Sequence, residues 1–249
     1  MYRINTFYFC YMKIYCLFIL FFSLNLIFAQ DNPCVQFNEL NTQIRDGLIS
    51  QEEAKGKVKD LLPQIKEYFK SNGGVESSQS DVVFPLQGYN SSSIGGVNGS
   101  GYNARGYNFF DGNKHGGHPA HDIFIHDRNQ DCIDDYSGEP VNVLSVCNGV
   151  VIACEPDWQT DSDLRGGKYI YILDPSDDGI YYYAHNNEIF VKPGDIVKAG
   201  DIIAQVGRTG FNAYKKRSPT HLHLMFLQVE DGFPKPENIY IDLCSMKTR

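Results

Sequence analysis

The rhythm of the chain beyond Asp81 most constrains the fold. Short runs of aromatic and β-branched residues alternate there with Gly, Asn, Asp and Pro. The runs at 141–146, 150–153, 169–173, 180–184, 202–206 and 221–229 have the length and composition of strands. Such side chains pack well on a pleated, half-buried surface. Asn148-Gly149 carries the two-residue hairpin signal, and residues 174–179 carry a longer one. The pattern predicts a mainly β domain of antiparallel strands over residues 105–249. The Gly- and Asn-rich stretch 88–117 is long for a connection, and loops of that length often border a binding cleft.

Ahead of this domain the period changes. Val35, Phe37, Leu40, Ile44 and Leu48 recur at helical spacing until Gly47 interrupts them. Ser50-Gln-Glu-Glu53 reads as a capping box opening a second helix, whose buried face is Ala54, Val58, Leu61, Leu62, Ile65 and Phe69, with Pro63 a kink point. Residues 30–71 therefore form a short helical segment, either a packing appendage or a cover over a cleft. Residues 72–104 read as a Gly/Ser/Asn-rich linker and loop.

Residues 1–29 carry only Arg3 and Lys13 as charges, then an apolar run that ends at Phe28-Ala29. That is the form of a secretory signal peptide, with a membrane anchor as the alternative and Met12 a second possible start. Interrupted by Ser23 and Asn25, the run falls short of the about 20 apolar residues a bilayer crossing needs. The expectation is export to the periplasm, cell envelope or exterior, with no stable membrane span after cleavage. Cleavage removes two positive charges and no negative one, so the formal charge moves from −8 to −10. An acidic surface argues against nucleic acid as a partner. Export permits disulfides, but Cys34, Cys132, Cys147, Cys154 and Cys244 are an odd set whose pairing sequence cannot assign.

All seven histidines fall at or after His115. In Thr220-His-Leu-His-Leu224, strand alternation turns His221 and His223 to one face and Leu222, Leu224 and Phe226 to the other. Such a pair either binds a metal or forms part of a polar surface. His118-Pro-Ala-His-Asp122 adds a loop imidazole and a carboxylate at a strand start. Together the two motifs offer two nitrogens and one oxygen, which leaves the fourth tetrahedral position of zinc to water, as in catalytic sites. No Cys-x-x-Cys pair and no His-Glu-x-x-His occurs. Proton transfer would then fall to histidines, with His221 and His185, at the end of Ile180-Tyr-Tyr-Tyr-Ala-His185, as candidates.

The order HxxxD, Tyr-Ala-His, HxH resembles the M23 family of zinc metallopeptidases, the LytM and lysostaphin type. Residues 191–210 resemble that family's hairpin between its second and third motifs, and residues 145–151 its strand pair after the first. The resemblance covers roughly residues 105–230. It implies a compact antiparallel β sandwich with a metal-binding groove. It implies one Zn2+ per chain on His118, Asp122 and His223, with His185 and His221 catalytic. It further implies an endopeptidase acting on peptidoglycan stem peptides or cross-bridges, with cell-wall regulatory proteins as candidate partners. The alternative is a non-enzymatic module of this family that binds or activates another wall hydrolase. Degenerate modules are expected to lose ligands or catalytic histidines, and all five are present here.

Two departures from the pattern stand out. His121 occupies a place where the family commonly has a small residue, and it competes with His118 as a ligand candidate. Residues 127–135 form an acidic insertion in which Asp127, Asn129, Asp131 and Asp135 follow the start of a calcium loop. Cys132 replaces the turn glycine and Gly138 stands where the last acid belongs, so Ca2+ competes there with a solvated acidic loop.

Overall fold

The computed structural model describes residues 32–76, 78 and 81–249. The expected signal segment, residues 1–29, lies outside them. Among the described residues two helices come first, α1 (Pro33–Arg45) and α2 (Gln51–Ser71). The Asn32 side chain caps α1 by accepting from the Cys34 N–H, and the Ser50 hydroxyl caps α2 by accepting from the Glu53 N–H at 3.3 Å. Gly47, at φ +69°, turns the chain between them, and α2 runs through Pro63.

Ten strands follow: β1 (His121–Phe124), β2 (Asn142–Leu144), β3 (Gly149–Glu155), β4 (Tyr169–Asp174), β5 (Gly179–Ala184), β6 (Glu188–Ile189), β7 (Ile196–Val197), β8 (Ile202–Gln205), β9 (His221–Glu230) and β10 (Phe233–Glu237). A short helix α3 (Tyr240–Ser245) ends the chain. The larger sheet runs β1-β9-β5-β4-β3-β7, with β10 also on β9, and the smaller runs β2-β8-β6. Every strand pair is antiparallel. The mainly β sandwich with a leading helical segment is the fold class expected.

Asn148-Gly149 is a correction. It does not close a hairpin, because β2 pairs with β8 in the smaller sheet whereas β3 pairs with β4 and β7 in the larger. The dipeptide instead carries the chain from one sheet to the other. Its glycine is needed for close approach, since a Cβ on Gly149 would lie 2.4 Å from the Leu173 carbonyl oxygen. Within residues 191–210, likewise, β7 joins the larger sheet and β8 the smaller.

Alternation divides the larger sheet's side chains between two cores. Leu222, Leu224, Phe226, Ile170, Ile172 and Tyr183 pack against the smaller sheet. Met225, Leu227, Val229, Tyr169, Tyr171 and Ile152 pack against Phe37, Leu40, Ile44, Val58, Ile65 and Phe69 of the helices. The helical pair thus buries its apolar stripe on the outer face of the sheet, where each such side chain contributes about 1.5–3 kcal/mol. Polar contacts fix its position: Asn38 Oδ1 accepts from the Cys154 N–H at 2.9 Å, and Asn41 donates to the Tyr169 hydroxyl at 2.9 Å. Within residues 72–104, Phe84 and Leu86 are fully buried and pack against the sandwich. The five cysteines of the described residues are all free thiols.

Candidate metal centre

The helices cover only part of the outer sheet face. At the other end of that face β9 starts with His221 and His223, and register brings their partners. Asp122 on β1 lies directly opposite His223, and Phe124 lies opposite His221. On the other flank Ala184 of β5 faces His223, so His185 emerges from the strand end beside both. His118 reaches the same point from the long loop. A two-way pairing with Asn103, at 2.7 and 2.8 Å, anchors its backbone.

The result is a cluster of four imidazoles around one carboxylate. Asp122 Oδ1 lies 3.2 Å from His118 Nε2, 3.0 Å from His223 Nδ1 and 3.6 Å from His221 Nε2. Ring centroids are 4.8 Å apart for His118 and His223, and 4.9 Å apart for His185 and His221. Backbone carbonyls hold three of the rings. His118 Nδ1 meets Gly101 O at 3.0 Å, His185 Nδ1 meets Thr209 O at 2.8 Å, and His221 Nδ1 meets Pro219 O at 2.7 Å. A carbonyl only accepts, so each Nδ1 carries a hydrogen, and in the neutral form of each ring the lone pair falls on Nε2.

The contact between Thr209 and His185 requires unusual backbone. His185 itself adopts φ +68°, a region costly for a residue with a Cβ and one that clusters at functional sites. Gly210 adopts φ +112°, and a Cβ there would lie 2.5 Å from the Arg165 carbonyl oxygen and 2.9 Å from His185 Nδ1.

Electrostatics separate the members of the cluster. Burial opposes the charge on Asp122, but hydrogen bonds from His118 and His223 outweigh it and hold the carboxyl well below the usual carboxylate range. The bond to Asp122 raises His118 above the ordinary imidazole value. Burial lowers His223 despite the Asp122 contact, and it pushes His185 well down, helped by the neighbouring His221 and His223.

Among the described residues, His118, Asp122 and His223 are the group whose donor atoms converge closely enough to hold a metal, all within 4.8 Å of one another. Zinc bonds of about 2.0–2.1 Å imply a tetrahedral edge of about 3.3 Å, close to the two carboxylate contacts above. Carbonyl support behind a ligating histidine is also what such a site needs. The donor set therefore fits zinc with one position open.

His121 is not brought to this point. It points to the opposite face of β1, 2 % exposed, with Nε2 3.0 Å from Asn238 Oδ1 and its ring stacked on Tyr102. Asp127, Asn129, Asp131 and Asp135 do not gather as a metal-holding group either. Their carboxylates are spent on the loop's own turns: Asp127 accepts from the N–H groups of Gln130, Asp131 and Cys132, Asp131 from Ile133, and Asp135 from Arg128. Nothing supports calcium there.

The groove around the cluster has a volume of about 220 Å³ and also involves Arg165, Tyr182 and Asn212. The sequence reading missed Arg165 and Tyr182. Alternation along β5 places Tyr182 on the same face as Ala184, but only the register with β9 reveals that this face carries the histidines.

Residues 131–233 match the model of peptidase family M23. Among solved structures, a protein assigned as a glycyl-glycine endopeptidase, LytM, from Ruminococcus gnavus is 25% identical, with 68% of this chain and 62% of that one covered and a TM-score of 0.46. Lysostaphin, an antimicrobial peptidase from Staphylococcus simulans, is 22% identical, with 68% and 55% covered and a TM-score of 0.42. A zinc-containing peptidase from Vibrio cholerae is 21% identical, with 66% and 39% covered and a TM-score of 0.38. This chain thus spans less than two thirds of the length of each of these three proteins. The matched span includes His185, His221 and His223 and begins after His118 and Asp122, which β1 pairing and the long loop bring to it. Over residues 131–233 the chain is thus similar to peptidase family M23.

Proposed function

We propose that the protein is an exported zinc-dependent endopeptidase that hydrolyses peptide bonds of peptidoglycan stem peptides or cross-bridges. His118, Asp122 and His223 hold the metal, and His185 and His221 are the catalytic pair. The supporting observation is the approach of His118 Nε2 and His223 Nδ1 to one Asp122 oxygen, at 3.2 and 3.0 Å, in an open groove. The substrate class rests on the motif resemblance and the family match. Export rests on the composition of residues 1–29.

Zinc held there supplies Lewis acidity to the scissile carbonyl and acidifies water. The chain's own residues do the rest. His221, with its Nδ1–H given to Pro219, presents Nε2 as the acceptor for the proton released in the attack. His185, held neutral by burial, presents Nε2 in the same way. Whichever ring takes the proton becomes a cation beside the developing oxyanion and can return that proton to the leaving amine.

Variants separate the roles. His118→Ala, Asp122→Ala and His223→Ala should purify with little zinc and no activity on defined cross-linked and linear muropeptides. His221→Ala and His185→Ala should keep near-stoichiometric zinc while turnover falls about 10²–10⁴-fold. His121→Ala should keep both. A wild-type protein that stays zinc-free under metal-replete conditions overturns the enzyme reading in favour of a non-catalytic wall-binding module.

A further inference from the structure

Beside His223 the groove adjoins a smaller pocket of about 60 Å³. The end of α1 lines it with Asn41, Ile44 and Arg45. Its lining includes Tyr107, Tyr171 and Tyr182, and Arg165 borders both this pocket and the groove around the cluster. Tyr171 is only 9 % exposed, yet none of these three phenol hydroxyls has a hydrogen-bond partner among the described residues. Three tyrosines and a guanidinium around one small cavity suit a polar occupant, because few convergent polar groups in a concave site fix a ligand's orientation.

Charge narrows the chemistry. Arg45 is neutralised by Asp46 and Glu155. Arg165 spends a donor on the His115 carbonyl and makes no ion pair among the described residues. Its planar guanidinium keeps further donors for an anion, and a carboxylate matches their fork. Size narrows it again. At about 10–15 Å³ per water-sized probe, the volume holds about four waters, or a carboxylate on one or two methylenes.

Building on the peptidase reading above, we infer that this pocket is a subsite for a carboxylate-bearing substrate residue beside the cleaved bond, with Arg165 as its charge partner and Tyr107, Tyr171 and Tyr182 as hydrogen-bond donors. The helical segment then has a part in recognition, because α1 supplies part of the pocket's wall. Both an acidic side chain and a free C-terminal carboxylate carry the required group.

The test uses the zinc-loaded protein and two peptide pairs. One pair of glycine-based peptides carries glutamate or glutamine next to the cleaved bond, and the other carries a free or an amidated C-terminus. Wild type should prefer the acid in one pair by about 10–100-fold in kcat/KM, the range expected for a charge-assisted hydrogen bond to a buried partner. The pair that responds identifies the source of the carboxylate. In Arg165→Met the acid-to-amide ratio should fall to about 1, and Arg165→Lys should recover part of it. Tyr171→Phe, nearly isosteric, should lower the ratio without moving the melting temperature. Equal use of acid and amide by a zinc-bound, active wild type overturns the subsite alone, as does a preference that survives in Arg165→Met. A zinc-free, inactive wild type that still binds the acid peptide more tightly by calorimetry faults the peptidase reading and leaves the subsite standing.

Discussion

Replacing Phe37 with alanine tests whether the helical segment and the sandwich are one folding unit. Phe37 is 1 % exposed and lies in the core that α1 and α2 share with β3, β4, β5 and β9. Truncating a fully buried phenylalanine typically costs about 3–5 kcal/mol, combining lost transfer energy with the cavity left behind. At about 2–4 °C per kcal/mol for a domain of this size, the melting temperature should fall by about 6–20 °C. The loss should appear in a single transition, because the same substitution unseats residues on both sides of the interface. Differential scanning calorimetry on wild type and Phe37→Ala reads this directly. By the same reasoning, deleting residues 30–80 should yield aggregated or unfolded protein rather than a faster enzyme. It would expose the sheet face of Ile152, Leu227 and Val229. An unchanged main transition in Phe37→Ala, with only a small early one shifted, would refute the shared core and restore the helices as a removable appendage.

Gly210→Ala should cost activity without costing zinc. The added methyl group meets the Arg165 carbonyl oxygen and His185 Nδ1, so the Thr209 carbonyl must move off the His185 ring. A displacement of about 1 Å at such a group is worth about 10²-fold in turnover, and turnover at the wild-type rate would contradict the positioning role. Zinc affinity should fall with pH, because Asp122 raises His118 above its ordinary value and a ligand must release its proton to bind. The same shift stabilises the metal-free protein at pH below the unfolded imidazole value and is lost as pH rises through the raised one. His185, lowered by burial, has the opposite sign: its stabilising contribution is present above the unfolded value and lost as pH falls. Chelator competition from about pH 5 to about pH 8 should therefore show weaker binding at the acid end, about tenfold per unit for each proton released. A flat profile would exclude His118 as a ligand that must give up a proton.

Much of this protein is legible in one dimension because its signals are local. The period change near Asp81, the capping box at Ser50 and the strand runs that became β3, β4, β5, β8 and β9 each depend on neighbours in sequence. So does the shared face of His221 and His223, since alternation is a property of a single strand. Other features depend on partners far along the chain. The proline-bearing β10 reads as a poor strand, yet it pairs with β9 at the sheet edge. Asn148-Gly149 has the composition of a hairpin, and only sheet assignment shows it as a crossing between layers. His118 and His121 are both plausible ligands in sequence. Pairing of β1 with β9 turns His121 into the core, and the loop bridge to Asn103 brings His118 to Asp122. The acidic insertion matches a calcium pattern in spacing, but its carboxylates found donors within their own loop. The pocket beside His223 has no sequence signature at all. Its walls come from residues 41–45, 107–113, 164–171, 182 and 223–225, and only the packing of α1 onto the outer sheet face brings them together. Residue types and spacing determined which chemistry was available; strand register and helix docking decided which groups meet, because both are set by contacts between segments distant in the chain.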